Sequence, residues 1–189
     1  AYISSLQNKT PYEIGHRLRF PDGRIKYVHE KAQTFSDDSG RALRSVGTVQ
    51  DVTDQKRFEM SLSESEANLR SILDSVPGVM MLVKREGTLL SVNRHFLQQF
   101  NVEETYCLGR SVFEFLAPET KDKRRQWLER IFTTGQPQEL EDAREDRQIH
   151  AYGYPVVDGQ GMVDRVAIYA ADVTELNKAA ESSKLLAAV

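Results

Sequence analysis

Four histidines, one cysteine and two Asp-x-Thr triplets are the residues of this 189-residue chain whose types could carry chemistry. The histidines are His16, His29, His95 and His150. No two have the spacing that would make them metal ligands on one helix face, and no glycine-rich phosphate loop is present. Three fall on expected strands and His95 on a short helix. His29 and His150 read as members of the same strand in two repeated segments, but at positions that do not match. A lone strand histidine is more often structural than a ligand. Cys107 can form neither an internal disulfide nor a cysteine-rich zinc site by itself. Asp51 and Asp172 resemble catalytic acids only in type. Each stands two residues before a threonine at an expected helix start, where Asp and Thr have a plain role as caps. No catalytic constellation and no metal site is therefore expected.

The totals narrow the classes further. A net charge of −3 argues against a dedicated nucleic-acid binder, which shows a basic stripe. The densest basic run, Lys121-Asp122-Lys123-Arg124-Arg125, is short and broken by an acid. With 40% hydrophobic and 28% charged residues, the chain can bury a core as a soluble domain does. No apolar run nears the roughly 20 residues of a membrane helix, and no secretory signal opens the chain. No membrane contact is expected of this fragment. The single cysteine fits a reducing compartment, so the expected location is cytoplasmic. The length suits one complete domain and part of another.

An internal repeat places these residues. The stretch from Arg41 to Asp54, ending Asp51-Val52-Thr53-Asp54, echoes Met162 to Glu175, ending Asp172-Val173-Thr174-Glu175. Each follows a glycine, Gly40 or Gly161, and the offset is 172 − 51 = 121 residues. That is the size of a domain rather than of a solenoid repeat. A strand and polar turn precede each echo: Arg24–Phe35 with Ser36–Gly40, and Gln148–Val157 with Asp158–Gly161. Earlier strands fit Tyr12–Phe20 and Gln138–Ala143, and Pro21-Asp22-Gly23 is a turn with a mechanism.

Only the second copy has more chain ahead of its hairpin. Strands fit Val79–Lys84 and Leu89–Val92, and short helices fit Arg94–Phe100 and Ser111–Leu116. A longer helix fits Glu119–Thr133, with Trp127, Leu128, Ile131 and Phe132 on one face and Gly135 and Pro137 stopping it. Between the copies, Phe58, Leu62, Leu69, Ile72 and Val76 form a heptad seam, with Ser65 in the one polar gap. That seam suits a parallel coiled coil in a homodimer. A surface helix packed on its own domain is the plainer alternative.

These residues resemble the PAS family with its closing PAC segment. The run from Pro77 through Val83 followed by Glu86-Gly87 looks like the family's opening strand and turn. Leu90-Ser91-Val92-Asn93 with Phe96 is similar to the passage into its first helix. Leu108 to Glu119 resembles its central segment, and both Asp-Val-Thr triplets resemble its strand ending. The resemblance implies an α+β fold: a five-stranded antiparallel sheet with helices on one face, preceded by a three-stranded meander and a linker helix. The implied parts are the end of a first domain (1–54), a coiled-coil-like linker (55–76), a complete second domain (77–175) and an outgoing helix (176–189). The meander's helix-facing side would be apolar and open. The implied role is a sensory and dimerising module of a bacterial signalling protein, a sensor histidine kinase, relaying a small-molecule or redox signal to a C-terminal output domain. Input to a diguanylate cyclase or phosphodiesterase, or a ligand-free interaction module, are the alternatives. Asp51, Thr53, Asp172 and Thr174 would couple strand to outgoing helix.

Flavin-binding relatives carry Asn-Cys-Arg-Phe-Leu-Gln where this chain has Ser111–Leu116, so Val112 stands in place of the thiol. Haem-binding relatives place a histidine on the long helix, and residues 119–133 contain none. Both cofactors are disfavoured. Strand alternation puts Ile149, Ala151 and Gly153 on one face, and Val166, Ile168 and Ala170 likewise. With Met81, Val83, Phe96, Phe113, Phe115, Trp127 and Ile131 they would line a pocket for a small apolar ligand or fill a core. The core is the commoner fate of such aromatic stripes. Tyr152, Tyr154 and Tyr169, with Ala167 and Ala171, make the opposite face partly apolar.

Overall fold

A computed structural model describes Ser5, residues 10–144 and residues 147–179. The chain forms two compact units, Ala1–Asn68 and Leu69–Val189. In the first, β1 (Tyr12–Arg19), β2 (Ile25–Ser36) and β3 (Ala42–Asp51) form an antiparallel meander in the order β1-β2-β3. The 23-residue helix α1 (Thr53–Ser75) follows it and runs past the boundary between the units.

The meander face expected to be openly apolar is mixed instead. Ladder partners directly opposite share a face, so Ile14, Glu30 and Val49 lie together, as do Ala32 with Gly47 and Thr34 with Ser45. The Thr34 and Ser45 hydroxyls are bonded at 2.7 Å. Val28 is buried there, while Leu18, Leu43 and Val49 are exposed. A carboxylate and two hydroxyls interrupt the apolar face that the resemblance implied.

The second unit is a five-stranded antiparallel sheet with helices: β4 (Val79–Val83), β5 (Leu89–Val92), β6 (Gln138–Arg144), β7 (Arg147–Val157) and β8 (Val163–Asp172), in the order β5-β4-β8-β7-β6. Its helices are α2 (Arg94–Phe100), α3 (Glu104–Cys107), a 3-10 turn at Val112–Phe115, and α4 (Pro118–Thr134). The expected helix Ser111–Leu116 is thus a single 3-10 turn. It carries a capping box in which the Ser111 hydroxyl and the Glu114 carboxylate each satisfy a backbone N–H. Cys107 ends α3 and is fully buried. Helix α4 starts on Pro118 and stops where Gly135 takes a left-handed φ of 64° and its N–H reaches the Ile131 carbonyl. The outgoing helix begins at Thr174, and residues 180–189 of the expected span lie outside the described residues.

Two polar devices hold helices to this sheet. Asn93 is almost fully buried, and its amide is completely used. Its Oδ1 accepts from Met80 N at 3.0 Å and Phe96 N at 3.1 Å, while Nδ2 donates to Leu73 O at 3.2 Å and Gly78 O at 2.9 Å. One side chain thereby fixes the end of α1, the start of β4 and the first turn of α2. On α4, the Arg124 guanidinium meets Asp142 of β6 at 3.1 Å with both side chains buried.

The Asn93→Ala variant removes all four bonds of a nearly fully buried amide. About 3 kcal/mol of stability should be lost. Asn93→Asp should not rescue it, because a carboxylate cannot donate to the Leu73 and Gly78 carbonyls. Denaturant unfolding followed by fluorescence of Trp127, the sole tryptophan, reads the second unit directly.

Candidate functional site

The residues singled out for a pocket gather on the helix side of β4, β8 and β7. Met81, Val83, Phe96, Phe113, Trp127, Ile131, Ala151, Val166 and Ile168 are buried in one cluster, with Phe115 and Ala170 packed against it. Gly153 is also buried and Ile149 is half-buried. The cluster is tight at its centre. A Cβ on Gly153 would sit 2.4 Å from Ile131 Cδ1 and 2.9 Å from the Trp127 ring. Phe96 lies edge-on to Phe115, with ring centres 6.0 Å apart. Glycine at 153 is therefore what lets α4 lie close against β7. The Trp127 Nε1–H is buried in this packing without a hydrogen-bond acceptor among the described residues.

The strand-to-helix junctions are built twice with the same bonds. Thr53 Oγ1 accepts from Tyr27 N at 3.0 Å, and Thr174 Oγ1 accepts from Gln148 N at 2.8 Å. Each hydroxyl also donates to the aspartate two residues before it, and each threonine N–H donates to the same carboxylate oxygen at 3.0 Å. This is the local turn that short polar side chains impose on their own backbone. Val52 N and Val173 N reach the carbonyls of Tyr27 and Gln148 at 2.9 and 2.8 Å. A basic residue backs each aspartate: Lys26 at 2.8 Å from Asp51 and Arg147 at 3.8 Å from Asp172.

The 121-residue offset holds along the entire hairpin. Lys26, Tyr27, Asp37, Gly40 and Thr53 correspond to Arg147, Gln148, Asp158, Gly161 and Thr174. Even the ladder irregularity at Phe35/Ser36 recurs at Val156/Val157. By the same offset His29 corresponds to His150, which corrects the sequence reading that placed them out of step. Their ladder partners on the last strand, Gln50 and Ala171, are offset identically. Each histidine contacts a glutamate on the preceding strand, His29 with Glu13 at 3.0 Å and His150 with Glu139 at 3.2 Å. Counting residues could have found the match. The glutamates could not have been found that way, because the first hairpin of each copy differs in length.

The linker seam is outward. Phe58, Leu62, Leu69 and Ile72 are exposed on α1, and Val76, half-buried, lies one residue past the helix end. On the far sheet face, Tyr152 stacks with Tyr169 at 6.4 Å between ring centres, and the Tyr169 hydroxyl donates to Pro77 O at 2.7 Å. A mostly apolar hollow of about 330 Å³ opens there beside Leu73, Met80, Leu82 and Tyr154. Among the described residues no group of three or more His, Cys, Asp or Glu gathers as metal ligands would. No helix among them is long and apolar enough to cross a membrane.

A family profile described as PAS fold matches residues 73–178. The chain is 21% identical over 126 residues to the sensor protein FixL of Bradyrhizobium diazoefficiens, covering 67% of this chain and 25% of that protein. It is 26% identical over 113 residues to the two-component sensor PprA of Pseudomonas aeruginosa, covering 60% of this chain and 12% of that one. An uncharacterized Sinorhizobium fredii protein matches over 140 residues at 24% identity, covering 74% of this chain and 17% of that protein. The chain thus spans a quarter or less of each relative. Among solved structures, the Vibrio cholerae VqmA dimer matches with a TM-score of 0.52 at 17% identity, over 58% of this chain and 52% of that one. The likeness to VqmA is one of fold.

Both junction aspartates are held below the usual carboxylate range. For Asp51 the cause is Lys26 first and then Thr53; for Asp172 it is the Thr174 hydroxyl and N–H. A depressed folded-state pKa contributes stability above the unfolded value near 4, and that stability is lost as pH falls through the folded value. The thermal midpoint should therefore fall between pH 5 and pH 2.5. In the Asp51→Asn, Asp172→Asn double variant this acid dependence should be shallower, as read by thermal unfolding at several pH values.

Proposed function

The chain belongs to the PAS fold family, and on that premise we propose that it is a dimerising sensory relay from a bacterial sensor histidine kinase, working in the cytoplasm. PAS domains are sensory modules found in sensor kinases, and sensor proteins stand among the relatives. The observation that carries the relay reading is the duplicated junction. In each unit one threonine hydroxyl joins the start of a hairpin strand to the first turn of a departing helix. A shift in the register or tilt of β7 or β8 then reaches the helix start through two hydrogen bonds and no flexible linker. Coupling of this kind needs two arrangements close in energy. The meander and its junction belong, on this reading, to a first domain of the same family, and the helix from Thr174 leads to an output domain.

Ligand chemistry divides into two readings, each with its own observation. A small, largely apolar molecule carrying one acceptor would complete the buried Trp127 Nε1–H. Packing at Gly153 instead favours a ligand-free interaction module, since the centre of the cluster is already filled. Native mass spectrometry of the purified chain separates them: added mass in the second unit supports the first, and the bare mass supports the second. Neither flavin nor haem is proposed.

Two experiments test the relay. With the chain placed ahead of a histidine-kinase catalytic core, Thr174→Val should change the autophosphorylation rate by about fivefold or more, the scale of an ordinary coupling free energy. Trp127 fluorescence should still report a folded second unit. An unchanged rate removes the relay reading. Separately, light scattering should give twice the 21.5 kDa chain mass, and Leu62→Lys with Leu69→Lys should give the monomer, since charge at seam positions opposes helix pairing. A wild-type chain that stays monomeric at all concentrations removes the coiled coil.

A further inference from the structure

The matched histidines have no part in the relay as described above, yet each sits where the relay begins. His150 follows Gln148 by two residues on β7. It borders a hollow of about 630 Å³ together with Gln148, Val173, Leu176 and Asn177 of the departing helix. His29 follows Tyr27 by two residues on β2. It borders a hollow of about 740 Å³ together with Val52, Gln55 and Lys56. Under the 121-residue offset these are the same hollow, since Val52, Gln55 and Lys56 correspond to Val173, Leu176 and Asn177. Two copies that differ at most other positions thus keep an imidazole beside the start of the departing helix, and each imidazole contacts a glutamate of the neighbouring strand.

From this duplicated geometry we infer that the proton is an input to both junctions, each His–Glu pair serving as its binding site. The inference rests on the relay reading for its consequence, because the Gln148 and Tyr27 amides that anchor the helices lie two residues from the imidazoles. A neutral imidazole shares one ordinary hydrogen bond with its glutamate. Protonation turns that contact into an ion pair across β6–β7 or β1–β2. The outer hairpin tightens next to the helix start, so acid strengthens the junction.

The surroundings differ between the copies in a way that ranks them. His150 is faced from β6 by Glu139 and Glu141, the latter its direct ladder partner. From its own strand Tyr152 stacks on it at 4.4 Å, with its hydroxyl 3.3 Å from His150 Nδ1. From β8 it meets Ala171, and Lys123 of α4 and Asn177 share its hollow. His29 is faced from β1 by Glu13, with Arg17 and His16 in the same hollow, and from β3 by Gln50. Lys31 already occupies the same Glu13 oxygen at 3.0 Å, and Lys56 adds a further positive charge nearby. Among the described residues His150 is faced by Glu139 and Glu141, with Asp142 also in its hollow and Lys123 held by Asp142 and the Glu141 carbonyl, so acid should act more strongly at the second junction. At the first, a lysine is already resident on the glutamate of His29.

Backbone hydrogen exchange of the full chain, corrected for the intrinsic rate at each pH, tests this. Amides from Asp172 to Lys178 should be about two- to fivefold better protected at pH 5.5 than at pH 7.5, the scale of a partly exposed ion pair. Those from Asp51 to Lys56 should show a smaller gain. Glu139→Gln should abolish the gain at the second junction and leave the first unchanged, and His150→Gln should do the same. A purely structural pair would shift protection equally at both pH values. Equal protection at the two pH values in the wild-type chain overturns the inference, as does a gain that survives Glu139→Gln. The measurement needs no output domain, so its failure and a failure of the kinase chimera are read independently.

Discussion

The two halves of the second unit's sheet meet at one seam, the antiparallel pairing of β4 with β8. Residues Val79 to Val83 pair one for one with Ala170 to Val166, and no other ladder joins β5-β4 to β8-β7-β6. Strand β5 and the helix α2 that follows it are joined to β8-β7-β6 through β4, while α4 packs on β6, β7 and β8 directly. The approach to β4 is correspondingly demanding. Gly78 has φ 125°, and a Cβ there would lie 2.7 Å from the Tyr169 ring and 2.9 Å from Ala170 O. Only glycine lets the chain turn against β8 at that point, and the Tyr169 hydroxyl closes over the preceding proline. The strand that carries the departing helix is thus the strand on which the sheet is assembled, so the exit cannot move without the sheet responding.

Comparison of the two hairpins separates what the junction requires from what a core requires. The junction residues are kept in chemistry: Lys26 and Arg147, Asp51 and Asp172, Thr53 and Thr174. The core-facing residues are not. Ala151, Val166 and Ile168 are buried apolar positions in the second unit, and under the same offset Glu30, Ser45 and Gly47 stand in the first. A carboxylate where the other copy has a fully buried alanine means that the two units cannot share one interior chemistry, since an unpaired buried charge is strongly disfavoured. One way of launching a helix from a strand therefore serves two differently lined sheets.

The sheet, its strand limits and the long helix were legible in the sequence because two simple periods and a few turn residues specify them. Alternation put Ala151 and Gly153 inward and His150, Tyr152 and Tyr154 outward, and the close fit at Gly153 follows from that choice. The face of Trp127, Leu128, Ile131 and Phe132 was equally plain from helical spacing. Short or long-range polar devices were less so. The four-residue helix ending at Cys107 has too few turns to show a period. The bonding of Asn93 joins Leu73, Gly78, Met80 and Phe96, which no spacing rule links. The buried Arg124–Asp142 pair was hidden inside what read as a solvated basic run.

Expected strand ends are a poor origin for aligning the two copies. Strand ends are soft, because a ladder can fray or bulge by a residue. A turn is rigid where a side chain closes it. Asp37 and Asp158 each accept backbone N–H bonds from within their own loops, and Gly40 and Gly161 take φ values of 86° and 80°. Those bonds fix the turn to the residue, and register propagates from it along both strands. Counting outward from the two aspartates brings His29 onto His150, and Tyr27 and Thr53 onto Gln148 and Thr174. In a duplicated antiparallel fold, the residues that close the turn are therefore the reliable origin for transferring a functional position from one copy to the other.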